Sequence, residues 1–251
     1  MPPMADMEPP LESEESRPGE MTVQVLEEIP VTVDKREILR LQGRHGKERL
    51  GRPIRKILEE VFEDCHSLLH PRAVCVQMEA RVLRKTIRLA NGLSLRNPDG
   101  ARAWHDADRL VAVVCTIGPA LERRVSELSA QGASTAALML DGIGSVAVES
   151  VADRVNRRIC RDAARHGMSV GPRLSPGYGT WPLEDQTVIF TIVPAQRIGV
   201  HLNEQGMMIP MKSVSFCVGL GRDLPAHEGT DPCQYCNLKS CRYRRQPKAS
   251  R

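Results

Sequence analysis

The chain has 251 residues, a formal net charge of +4, 41% hydrophobic residues and only 3% aromatic ones. That allows one or two domains around a core of Leu, Val, Ile, Ala and Met, and it argues against nucleic acid, because no long basic patch is interleaved with stacking aromatics. No apolar run reaches the length of a membrane span and no basic-then-apolar start reads as a secretion signal, so the expectation is a soluble cytoplasmic protein whose eight cysteines are reduced thiols or metal ligands rather than disulfides.

Residues 1–20 carry Asp6, Glu8, Glu12, Glu14, Glu15 and Glu20 against a single Arg17. Such a segment buries too little apolar area to order itself and reads as a disordered acidic leader. Thr22–Leu26 and Val31–Val33 are short β-type runs, and Asp34 caps a short helix through Leu41. Ile54, Ile57, Leu58, Val61, Phe62, Leu68 and Leu69 recur at helical spacing between Gly51 and Leu69. Ala73–Leu83 alternates as a strand, and Asn91-Gly92 marks a hairpin between Thr86–Leu89 and Leu93–Leu95. Trp104–Leu110 reads as a short helix and Val111–Thr116 as a strand buried on both faces. Pro119 opens a helix over Ala120–Ala130.

The longest helix is predicted over Ser134–His166, with an apolar stripe through Leu140, Ile143, Ala147, Val148, Val151, Val155 and Ile159. Gly142 and Gly144 interrupt it; interior glycines cost up to ~1 kcal/mol each, so something should pack closely there. Glu149 stands beside the stripe, and helical spacing alone makes it a solvated glutamate. Leu183–Ile192 suits a helix or a strand, and Pro182 with Glu184 and Asp185 favours helix. Ile198–Leu202 and Ser213–Leu220 read as strands, with Asn203–Pro210 as the loop between them. Met207 and Met208 in that loop are core filler or a soft partner surface. Cys65, Cys75, Cys115 and Cys160 lie in apolar runs and read as small core residues.

The stretch Arg173–Gln186 gathers Pro176, Gly177, Tyr178, Gly179 and Trp181. Pro176 restricts its own φ and its neighbour's, while the glycines allow close backbone approach. A stiff ligand loop follows, with Arg173 as a fork for a carboxylate and Tyr178 as a flat face. Further on, Cys233, Cys236 and Cys241 form Cys-x2-Cys-x4-Cys, a spacing that suits zinc or an iron–sulfur cluster. Cys217, His227, Asp231 or an exogenous group would be the fourth ligand; a redox pair or inert thiols is the other reading. Arg242, Arg244, Arg245, Lys248 and Arg251 make the tail basic.

Arg173, Gly177 and Tyr178 form Arg-x-x-x-Gly-Tyr, which resembles the S-adenosylmethionine-binding signature of the activation domain of cobalamin-dependent methionine synthase. Four further stretches resemble that domain in the same order: Val114–Gly118, Leu140–Glu149, Gly199–Glu204 and Met208–Ser215. The likeness spans roughly residues 110–220. The chain has no room for homocysteine, folate and cobalamin modules, lacks a late aromatic ligand contact, and adds the cysteine tail. It thus looks like the small stand-alone activation proteins.

The resemblance implies an α+β fold, with a mostly antiparallel twisted sheet flanked by helices. It divides the chain into the leader 1–20, a lead-in of helices and short strands 21–105, an S-adenosylmethionine-binding core 106–225 and the tail 226–251. It implies a ligand site of Glu149, Arg173, Leu174, Gly177 and Tyr178. It further implies a cobalamin-bearing methionine synthase or related corrinoid methyltransferase as partner, with an electron donor, so that cob(II)alamin on the partner is reductively methylated. A metal or iron–sulfur electron-transfer protein serving a corrinoid methyltransferase, or an adaptor using the methionine loop and basic tail, are the competing readings.

Overall fold

The computed structural model describes residues 21–41 and 51–224. The leader 1–20 and the candidate ligands Cys233, Cys236 and Cys241 lie outside the described residues.

Among the described residues, nine strands and six α-helices follow one another: β1 Thr22–Glu27, α1 Lys35–Leu41, α2 Arg52–Asp64, β2 Arg72–Val82, β3 Ile87–Leu89, β4 Ser94–Leu95, α3 Pro98–Ala103, β5 Arg109–Thr116, α4 Ala120–Ala130, α5 Ser134–Arg165, β6 Ser169–Val170, α6 Gln186–Ile192, β7 His201–Leu202, β8 Met208–Ile209 and β9 Ser213–Gly221. Seven strands make one antiparallel sheet in the order β4-β3-β2-β5-β9-β6, with β1 also paired to β2. β7 and β8 form a separate hairpin. The fold class is therefore α+β, as expected. Strands from both the 21–105 and the 106–225 segments share the one sheet, so its hydrogen bonds bind them together.

The sheet is covered on both faces because its strands present apolar side chains both ways. Val111, Val113 and Cys115 of β5 join Ala73, Cys75, Phe216 and Val218 beneath α1, α2, α4 and α5. Leu110, Ala112 and Val114 join Val74, Val76, Met78 and Cys217 beneath Trp104, Trp181 and α6. Cys65, Cys75, Cys115 and Cys160 are all buried and outside any disulfide, as their apolar runs suggest. Burial pushes the Cys75 thiol up to about 12 and raises those of Cys65, Cys115 and Cys217.

α5 is long and apolar enough to cross a membrane by length and composition, but 61% of its most apolar window is buried inside the protein. It packs tightest at Gly144, where an added Cβ would stand 2.7 Å from Leu121 Cδ2 and 3.2 Å from Lys212 Cε. Lys212 is held there by Asp141, 2.8 Å from its Nζ, and donates to Ser145 Oγ at 2.9 Å. This is the close neighbour that the helix-interior glycine requires.

Four expectations are corrected. The helix predicted over Trp104–Leu110 lies upstream, at Pro98–Ala103, where Asn97 Oδ1 accepts from Gly100 N at 2.7 Å. Trp104 ends that helix and is buried, because Gly100, Gly171 and Gly219 leave no Cβ in its way. Val31–Val33 is not a strand: Thr32 N donates to Ser150 Oγ of α5 at 2.9 Å rather than to a neighbouring strand. Ala195–Ile198 is a 3-10 turn, so only His201–Leu202 of the Ile198–Leu202 run is strand. Met208–Ile209, expected as loop, pairs with it.

Candidate functional site

The segment after α5 runs along the edge of β9. Val170 pairs with Leu220, Gly171 N donates to Gly219 O at 2.9 Å, and Leu174 exchanges both backbone bonds with Cys217 at 3.0 and 2.8 Å. Successive side chains on an extended segment alternate between faces. Leu174 therefore packs into the layer beneath the tryptophans. Arg173 turns the other way, and its guanidinium lies 5.3 Å from the Phe216 ring centroid on the helical side.

Arg173 is 8% exposed. Its Nη2 donates to Glu149 Oε2 at 2.8 Å, and Asp153 Oδ1 stands 3.5 Å away. Glu149 and Asp153 are four residues apart on α5, so one helix face supplies both acids. Burial works against the guanidinium's charge, but the carboxylates of Glu149 and Asp153 outweigh it and hold its pKa above the ordinary arginine value. Glu149 is thus a partner of Arg173 and not a solvated surface acid. Nη1 of Arg173 is buried with no hydrogen-bond partner among the described residues. A charged donor in that state is costly unless an acceptor meets it.

Beyond Arg173 the chain makes a tight turn. Tyr178 N donates to Ser175 O at 3.2 Å, Gly177 N to Trp181 O at 3.0 Å, and Trp181 N to Tyr178 O at 3.1 Å. Gly177 and Gly179 have φ of 84° and 61°, in the left-handed region that a side chain would strain. Tyr178 is 63% exposed at this turn. Asp99 of α3 fastens the turn from outside, accepting from Thr180 N at 2.8 Å and Thr180 Oγ1 at 2.9 Å.

Of the residues predicted for the ligand site, Glu149 and Arg173 are in direct contact, and Gly177 and Tyr178 sit on the turn that follows Arg173. Leu174 faces the opposite layer, with its backbone engaged by Cys217. Asp153 and Asp99 were not anticipated. The signal for Asp153 was its i, i+4 spacing from Glu149; nothing local signals Asp99, which lies 81 residues from Thr180.

Among the described residues, no group of three or more His, Cys, Asp or Glu is placed to hold a metal. Cys217 is fully buried in the tryptophan-side layer. Burial there favours its neutral thiol over the thiolate that a metal binds.

No family model and no curated protein sequence matches the chain. Among solved structures it is similar to the crystal structure of the MetH reactivation domain bound to AdoHcy, at 16% identity and a TM-score of 0.64, over 82% of this chain and 81% of that one. At that identity the likeness speaks for the backbone architecture. The chain has the fold of the MetH reactivation domain.

Proposed function

We propose that this chain binds S-adenosylmethionine and serves as the reactivation subunit of a cobalamin-dependent methionine synthase or a related corrinoid methyltransferase, supporting reductive methylation of cob(II)alamin on that partner chain. One observation carries the reading: a buried guanidinium whose Nη1 lacks an acceptor among the described residues, on the segment that leads into the Gly177–Tyr178 turn. The residues present fit an amino-acid carboxylate at that atom. Nη2 is already engaged by Glu149, which leaves Nη1 as the nitrogen facing the carboxylate.

S-adenosylmethionine would supply the methyl group. This chain's residues bind and orient it. Arg173 Nη1 meets the carboxylate with a charge-assisted hydrogen bond. Glu149 and Asp153 keep the guanidinium charged and fixed. They also make the neighbourhood acidic enough to favour the ligand's ammonium and sulfonium. Gly177, without a side chain, lets a ribose approach the backbone, and Tyr178 offers an aromatic face that attracts a sulfonium cation. None of these residues need act as a nucleophile; their contribution is placement. Leu174 and Cys217 pair through their backbones and brace the segment from the other face.

Calorimetric titration of the full chain with S-adenosylmethionine tests this. Binding to the native chain, lost in Arg173→Met, is the expected result; no heat with the native chain ends the reading. For the tail, we propose that Cys233, Cys236 and Cys241 hold zinc or an iron–sulfur cluster, the fourth ligand being His227, Asp231 or an exogenous group rather than the core-buried Cys217. Metal analysis and anaerobic absorption spectra of the purified chain distinguish the two, and a metal-free, colourless preparation rejects both.

A further inference from the structure

Residues Arg81–Arg88 read Arg-Val-Leu-Arg-Lys-Thr-Ile-Arg, with four cations and no acid. They form the β2–β3 hairpin, whose turn is closed by Leu83 N donating to Thr86 O at 2.8 Å. The last rung between β2 and β5 joins Glu79 to Arg109, whereas β2 pairs with β3 as far as Val82. From Glu79 to Val82 the two-stranded ribbon therefore runs on alone for about 10 Å past the start of β5.

One face of this ribbon is anchored. Ile87 and Leu89 are buried in the layer beneath the tryptophans, with Ala80 and Val82 packed against it. Alternation turns Arg81 and Arg88 to the other face. No residue of β3 belongs to the core under the helices, so that face is left open. Arg81 and Arg88 are exposed on it, as are Arg84 and Lys85 at the tip. None of the four has an ion-pair partner among the described residues. The acid of β2, Glu79, stands opposite Arg109 and two positions before Arg81, so cations flank it on both sides.

Arg81 and Arg88 also stand directly opposite each other in the register. Their Cβ atoms are then ~5 Å apart, and like charges so placed destabilise a strand pair. A hairpin needed only for the fold would gain from an acid at either position. An anion lying between the two guanidiniums turns the repulsion into binding.

We propose that the Arg81–Arg88 hairpin is a docking surface for an acidic protein, whose carboxylates meet Arg81 and Arg88 on the open face and Arg84 and Lys85 at the tip. Charge complementarity selects the partner, and guanidinium forks match carboxylates two bonds at a time. Nucleic acid fits less well, because Arg72–Leu95 contains no aromatic side chain on which a base could stack. A membrane also fits less well: Leu83 is 37% exposed while Ile87 and Leu89 are buried, which leaves little apolar surface to insert. In the strand order β3 lies on the side of β2 away from β9 and β6, so a protein docked there leaves the Arg173 segment accessible.

Binding of the full chain to a glutamate homopeptide, to a uridine oligomer of equal charge and to phosphatidylserine vesicles, measured in about 0.05 M salt, tests this. The glutamate peptide should bind most tightly. R81E/R88E should weaken it at least ~10-fold. R55E/R123E makes the same change of net charge at exposed positions on α2 and α4, and should weaken it less than ~3-fold. R81E alone sets a carboxylate opposite Arg88, so it should melt higher than the native chain while binding the peptide at least ~3-fold more weakly. No binding of the peptide, equal loss in the two double variants, tighter binding of the RNA or the vesicles, or a lower melting point for R81E would each overturn the proposal.

Discussion

Two charged side chains are buried on opposite sides of this sheet, and they are treated differently. Asp185, 2% exposed beneath the tryptophan layer, has both oxygens met. Oδ1 accepts from Arg96 Nε at 3.0 Å; Oδ2 accepts from Trp181 Nε1 at 3.1 Å and from Arg96 N. Arg173, 8% exposed on the helical side, has one nitrogen engaged by Glu149 and another with no acceptor among the described residues. A saturated buried charge fixes a fold; a buried donor left unmet calls for a partner, and the proposed ligand is one. On this reading Asp185 is a staple that pins Trp181 and the start of α6, whereas Arg173 is a binding group whose protein contacts only set its direction.

The largest effect should come from the staple. Asp185→Ala removes the acceptor for Trp181 Nε1, Arg96 N and Arg96 Nε together. Hydrogen bonds to a charged group contribute ~1.5–3 kcal/mol each. Arg96 is 61% exposed and can turn to water, so a net loss of about 3–4 kcal/mol is expected, read from the urea midpoint. Arg173→Met should do the reverse. Glu149 keeps 33% of its side chain exposed and can find water, and a donor without a partner is removed. Stability should move by no more than about 1 kcal/mol, while S-adenosylmethionine affinity falls at least ~30-fold, or about 2 kcal/mol. Should Arg173→Met unfold as readily as Asp185→Ala, the contrast between the two charges collapses.

The thiols sharpen the comparison, because they report how closed each face is. Cys75 lies on the helical side and Cys217 on the tryptophan side, and burial raises both. The unfolded Cys75 thiol ionises near its ordinary value of 9.0, whereas the folded one stays protonated to about 12. Between those values the unfolded state binds fewer protons, so stability is full below 9.0 and declines as pH rises toward 12. Each such thiol contributes up to ~1.4 kcal/mol per pH unit. Urea melts at pH 7 and pH 10 should show a smaller alkaline loss in Cys75→Ala and in Cys217→Ala than in the native chain. An unchanged loss in one of them would mean that its face admits water.

Much of the framework could be read from residue order. The continuous apolar run of β5, the alternation of β2, the Asn91-Gly92 turn and the stripe of α5 are local patterns with one physical solution each. α3 lies upstream of the expected Trp104–Leu110, although Asn97 and Pro98 already spell out a cap and a first turn. Trp104 is accommodated by Gly171 and Gly219, 67 and 115 positions away in the chain, so its burial is written in no single window. The site divides the same way. Arg173, Gly177 and Tyr178 were legible as one motif, and Glu149 through a family likeness. The Arg173–Glu149 ion pair, the addition of Asp153 and the hold of Asp99 on Thr180 depend on tertiary contacts. That the proposed fork has one prong already engaged is likewise a property of the fold.

The smallest expected effect belongs to Tyr178, and it probes where the binding face ends. Its side chain is 63% exposed on a turn closed by backbone hydrogen bonds from Tyr178, Gly177 and Trp181. None of those bonds involves the ring, so Tyr178→Leu keeps the backbone frame of the turn. A cation over an exposed aromatic face gains ~0.5–1 kcal/mol. The same substitution should therefore weaken S-adenosylmethionine binding by roughly 2- to 5-fold. The product S-adenosylhomocysteine, whose sulfur is a neutral thioether, should bind the native chain and Tyr178→Leu alike. That pair of titrations isolates the charge of the ligand from its shape. If both ligands weaken equally, the ring acts by contact area alone; if neither does, the site stops at Gly177 and the buried guanidinium is its whole recognition element.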